Sequence, residues 1–84
     1  MIKEKQNIPF GTKKIKEEII FLKLEHIAKS LKERGYNPSQ QLSGFLISND
    51  PAYISSHNKA RAIIQTMDRD EIIEELVRYY LENK

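Results

Sequence analysis

The sequence predicts an all-α fold. Three observations carry that prediction: apolar residues recur at helical spacing in each long segment, capping residues separate those segments, and nowhere does the strict alternation of a strand appear. The expected architecture is a compact bundle of about five helices: one long N-terminal helix, short middle helices and a C-terminal helix.

Residues 1–11, MIKEKQNIPFG, contain Pro9 and Gly11 and no helical period. They read as a flexible arm ahead of a single helical domain, 12–84. A long helix is expected from about Lys13 to Arg34, with Ile20, Leu24, Ile27, Ala28 and Leu31 forming its inward stripe. Ile19, Ile20, Phe21 and Leu22 widen that stripe beyond what one small core needs. A patch of this kind invites association, so these residues are the expected homodimer interface. Gly35 falls where a left-handed C-terminal cap belongs.

Asn37-Pro38-Ser39-Gln40 reads as the next helix start, with Asn as cap and Pro at the first helical position. That helix, running to about Ser48, turns Leu42, Phe45 and Leu46 inward. Gly44 weakens it and suggests a close backbone crossing. The stretch SNDPAYISSHNKAR, residues 48–61, then packs several stops and starts together. Asn49 suits a left-handed stop. Asp50-Pro51 begins a short element holding Tyr53 and Ile54. Ser55 or Ser56 caps a fourth helix with Ala60, Ile63, Ile64 and Met67 at helical spacing. Asp68-Arg69-Asp70-Glu71 resembles a capping box for the last helix, whose expected buried face is Ile72, Ile73, Leu76, Val77 and Tyr80.

At 84 residues the chain is one small domain with a modest core. It has no cysteine and two widely separated histidines, so disulfide, thiolate and zinc sites are not expected, nor is any cofactor or small-molecule ligand. Stability must then come from regular helix packing or a partner chain. The net charge is only +2, but residues 1–37 are basic and the acids dominate from Asp68 onward. Such asymmetry favours head-to-tail contact over capture of a polyanion. No apolar run approaches a membrane span and no secretory pattern opens the chain, so the expected compartment is the cytoplasm.

The polar residues His57, Lys59 and Arg61, with Arg69, are the expected partner-binding face. A cation early in a helix gains nothing from the macrodipole, so helix stability does not account for them. A competing reading makes residues 56–65 the recognition helix of a dimeric helix-turn-helix DNA binder. The middle of the chain sets Lys59 and Arg61 against Asp50, too few cations for strong phosphate contact. Catalysis has less support still. Ser55, Ser56 and His57 are sequence neighbours, which does not bring a hydroxyl to an imidazole, and serines before a helix are mostly caps.

The stretches RGYNPSQQLSGFLISNDPAYISSHNKAR and RDEIIEELVRYYL closely resemble the IreB family of small regulatory phosphoproteins of Gram-positive bacteria. The likeness runs from Phe10 to Leu81. Its landmarks include Gly35, Tyr36, Asn37, Pro38, Asp50, Pro51 and Tyr53, which are structural. The resemblance implies a non-enzymatic, intertwined homodimer. It also implies a substrate of the Ser/Thr kinase with extracellular PASTA repeats. Members of the family influence Clp-protease turnover of the enolpyruvyl transferase that begins peptidoglycan precursor synthesis, and so cephalosporin tolerance. This chain departs from the pattern in its arm, where Glu4 and Asn7 stand at the usual phosphothreonines. Thr12 is the candidate substitute. Two arginines frequent in the family are also missing, at Ser56 and Gln65.

Overall fold

The computed structural model describes residues 3–83, with side chains from Thr12 onward. The first residues of the expected arm, and the side chains of Glu4 and Asn7, lie outside that description. Four α-helices and two 3-10 helices occur in place of the expected five helices, and there is no strand among the described residues. The helices are α1 (Lys3–Glu33), α2 (Pro38–Ser48), α3 (Ala60–Ile64) and α4 (Arg69–Glu82), with 3-10 helices at Pro51–Tyr53 and His57–Lys59 between α2 and α3.

The long helix begins well before the expected Lys13. Lys3-Glu4-Lys5-Gln6 are straight-chain residues of good helix propensity, and the helix runs on through Pro9 and Gly11, both of which disfavour a helix interior. At 31 residues α1 is about 46 Å long by helical rise, nearly the full 50 Å length of the molecule. It ends as its sequence dictates. Gly35 takes φ 83°, its N–H donates to the Lys32 carbonyl at 2.9 Å, and Tyr36 N–H donates to the Leu31 carbonyl at 3.0 Å. This is the paired bond pattern of a glycine-terminated helix.

The next joints follow the same local rules. Asn37 Oδ1 accepts from Gln40 N–H at 3.1 Å and opens α2, with Pro38 at the first position. Asn49 closes it at φ 62°. Asp50 accepts from Ala52 N–H at 3.0 Å, and Pro51 starts the first 3-10 helix. Gly44 makes room for a side chain where a backbone crossing was expected. A Cβ there would overlap the Tyr53 ring, whose carbonyl also accepts from Gln41 Nε2 at 2.8 Å.

Three expectations change in the second half. The helix expected to start at Ser55 or Ser56 is divided, because Asn58 and Lys59 are left-handed at φ 53° and 62° and α3 begins only at Ala60. Ser55 Oγ accepts from His57 N–H at 3.1 Å, which makes a local turn and no α-helical cap. Asp68 starts α4 without a side-chain cap bond, so the capping box does not form. Asp70 and Glu71 still place negative charge at the favourable end of the helix dipole.

The core is one cluster. Leu24, Ile27 and Leu31 of α1 meet Phe45 of α2, Ile54, Ala60 and Ile64 of the connecting segment and α3, and Ile72 of α4. Ile20, Leu42, Leu46, Ile63 and Met67 are half-buried around them. Each fully covered aliphatic side chain contributes about 1.5–3 kcal/mol relative to an exposed one. The expected buried face of α4 is the main correction here. Ile72 is buried, but Ile73, Leu76, Val77 and Tyr80 are exposed, Val77 at 52 % and Tyr80 at 68 %. Helix α4 rests on α1 through Ile72 and the buried carboxylate of Glu75, which pairs with Arg78, and that rotation turns its apolar stripe outward.

Ile27 is fully covered at the centre of the cluster. Replacing it with Ala should cost about 2–5 kcal/mol. Against a total of about 5–15 kcal/mol for a domain, this should lower the urea midpoint sharply or abolish the folding transition in circular dichroism.

Candidate functional site

The site is built from the 3-10 turn His57–Lys59 and the end of α1 against which it lies. Two successive left-handed residues are unusual when neither is Gly. Asn58 tolerates that geometry through its short polar side chain, whereas Lys59 bears a steric cost of roughly 1–2 kcal/mol. Three side-chain bonds to α1 hold the turn. His26 Nε2 donates to the Asn58 carbonyl at 2.8 Å, His57 Nε2 to Glu33 Oε1 at 2.9 Å, and Asn58 Nδ2 to the same oxygen at 3.1 Å. A carbonyl and a carboxylate can only accept, so both Nε2 atoms carry a proton. The hydrogen bond from His57 is the main force holding the Glu33 carboxyl below its ordinary range. Desolvation opposes it, and the charges of His57 and Lys29 and the Asn58 bond add to it.

The four residues expected to meet a partner divide into two kinds. Arg61 Nε donates to the Ile54 carbonyl and Arg69 donates to the Leu46 carbonyl, both at 2.8 Å. Leu46 lies in the last turn of α2, where carbonyls lack helical partners, so Arg69 caps α2 from α4. A bond of this charged kind is worth about 1.5–3 kcal/mol, which makes both arginines staples of the fold. Lys59 is exposed at the strained corner, and His57 is half-buried in its bond to Glu33. His57, Lys59 and Arg61 thus lie along one segment, while Arg69 works at the α2–α4 contact. Ser56 and Gln65 are both exposed beside this segment.

A second region lies on the outer sides of α1 and α4. Ile19, Phe21 and Leu22 are exposed, whereas Ile20 packs against the core. The Phe21 ring stands 6.2 Å from that of Tyr79. Lys16 donates to Glu71 across the two helices at 3.0 Å, and that bond, with the nearby charges of Glu71 and Asp68, raises the lysine above its ordinary value. Arg78 pairs with Glu75 and Glu82 and lies 3.9 Å from Glu17. The exposed stripe Ile73, Leu76, Val77 and Leu81 completes the surface. Thr12 is exposed within α1, away from the helix start where it was expected.

Three residues that complete the turn, His26, Glu33 and Asn58, were not among the expected partner-binding residues, although Asn58 belongs to the same polar run as His57 and Lys59. One signal was available for each of two. Glu33 is an acid at a helix C-terminus, where the dipole opposes it, and Asn58 is a residue type that accepts a left-handed conformation. Nothing local marks His26.

Among the described residues, no helix is long and apolar enough to cross a membrane. What the fold and this surface define is a small all-α domain bearing a charged turn clasped to its longest helix. Residues 5–82 match the family described as IreB regulatory phosphoprotein. The chain belongs to that family of regulatory proteins.

Two outcomes test the turn. The folded state holds Glu33 below its ordinary value of 4.5, so the clasp stabilises above that pH and is lost as pH falls through the depressed value. Acid unfolding followed by circular dichroism should show this loss, and Glu33→Gln should flatten that part of the profile. Lys59→Gly removes the Cβ clash and should raise the urea midpoint by the equivalent of up to about 1 kcal/mol, part of the gain being offset by the freer unfolded chain.

Proposed function

We propose that this chain is a non-enzymatic cytoplasmic regulator that acts by binding proteins in the control of peptidoglycan precursor synthesis. The observation that carries the reading is the family match over residues 5–82. The resemblance supports a role downstream of the PASTA-type Ser/Thr kinase, through Clp-dependent turnover of the enolpyruvyl transferase. With Glu4 and Asn7 at the usual arm positions, Thr12 is the hydroxyl proposed to take their place.

The working unit is a homodimer. In its support stand two apolar stripes that are exposed among the described residues, one on α1 with Ile19, Phe21 and Leu22 and one on α4 with Ile73, Leu76 and Val77. Ile20 contributes from the core side, supporting the α1 stripe from beneath. The partner face is His57 and Lys59, with Arg61 and Arg69 holding its frame. The divided helix at residues 56–65 gives the DNA-binding alternative no added support.

Affinity capture from a Gram-positive lysate, read by mass spectrometry, tests the partner reading. The wild-type chain should recover Clp components or a wall-precursor enzyme, and Lys59→Glu should lose them while keeping its helix content. Arg61→Ala is a poor probe, because it also removes the bond to Ile54. In sedimentation the wild type should run as a dimer and Leu22→Glu with Leu76→Glu as a monomer. A wild-type monomer at micromolar concentration overturns the assembly.

A further inference from the structure

Glu33 occupies the donors of the proposed partner face, and this points to both the partner's chemistry and the way the face is kept closed. It is the last residue of α1, where the helix end is partially negative and a carboxylate is disfavoured. Its Oε1 nevertheless gathers His57 Nε2 at 2.9 Å and Asn58 Nδ2 at 3.1 Å, both from another element. Lys29 on α1 adds positive charge to the same carboxylate. Lys59, next along the turn, holds a left-handed conformation that Gly would adopt more cheaply, so its charge is retained against a steric cost.

These donors and cations form a ready receptor for a carboxylate, and the chain fills it with its own. We propose that Glu33 is an internal stand-in for an acidic side chain of the partner. The partner is an acidic peptide segment, one carboxylate of which replaces Glu33 at His57 and Asn58 while Lys59 meets a neighbouring charge. This rests on the reading that the turn is a protein-binding face, and it deepens that reading by naming the ligand class and its competitor. Lys29 from α1 lies close enough to act on this carboxylate, His57 and Asn58 of the turn supply its donors, and the exposed Lys59 follows them in the chain. An occupied receptor weakens apparent affinity in proportion to its free fraction, and an occupant that left about one-fifth of the receptor free would cost about fivefold.

The test is fluorescence anisotropy with a labelled octaglutamate peptide and the full chain at low salt. Glu33→Ala should bind about fivefold more tightly than wild type, and adding His57→Ala should erase the gain. Glu25→Ala removes an equal charge from the exposed side of α1 and should change affinity less than about twofold, since exposed charges at a distance are screened. Circular dichroism accompanies each variant. Should Glu33→Ala lose helix content, Glu33→Gln, which keeps an acceptor but not the charge, decides by the same criterion of tighter binding. Unchanged or weaker affinity with intact helices overturns the stand-in, even if Lys59→Glu still abolishes binding. Binding indifferent to Lys59→Glu overturns the face itself. No binding by any of these proteins overturns the acidic class of partner.

Discussion

The buried seam of Leu24, Ile27 and Leu31 is the constraint from which the other features of this domain follow. A chain of this size has only enough apolar residues to cover one line of contact. Helices α2, α3 and α4 all reach the C-terminal two-thirds of α1, and the short connections between them leave little freedom in how they do so. Ile54 and Ala60 are both fully buried in that seam. The five residues between them must therefore leave it and return within a very short distance. The left-handed pair Asn58–Lys59 is the reversal that such a path requires. The clasp to His26 and Glu33 holds the reversal against α1.

Once the turn is forced, the arginines take their places. A segment that bends sharply presents carbonyls that no helix satisfies, as at Ile54, and the tight stop of α2 leaves another at Leu46. Arg61 and Arg69 fill these two needs. Removing either would leave a carbonyl unpaired in a partly buried place, a penalty separate from any effect on recognition. Their chemistry suits docking and suits stapling equally, and only the folded arrangement separates the two uses.

How much of this was legible in the sequence depends on how local each cause is. Gly35, Asn37, Asn49 and Asp50 act on the residues beside them, and each was read correctly as a stop or a start. The inward stripe of α1 was equally plain, because its spacing is self-evident. The turn at Asn58–Lys59 was not, since the helical spacing of Ala60, Ile63 and Ile64 continues smoothly backward and the reversal comes from burial on both sides. The face of α4 was misjudged for a related reason. Periodicity shows that a stripe needs cover but not which body supplies it, and Ile73, Leu76 and Val77 stay exposed among the described residues. The clasp by Glu33 joins residues 24 and 25 positions apart, beyond any local pattern.

The joint between α4 and α1 differs in kind from the rest. It sets a carboxylate, Glu75, where an aliphatic residue would ordinarily sit, and matches it with Arg78. Greasy surfaces forgive rotation, because any comparable side chain will serve. Charges that pair across the joint do not: Glu82 and Glu75 hold Arg78 within α4, but Arg78 comes to 3.9 Å from Glu17 of α1, and Glu71 to 3.0 Å from Lys16, only when α4 is turned one way about its axis. The joint therefore acts as a key in a slot. It gives up some adhesion and fixes the compass bearing of the outer stripe, so whatever lands there finds it always pointing in the same direction.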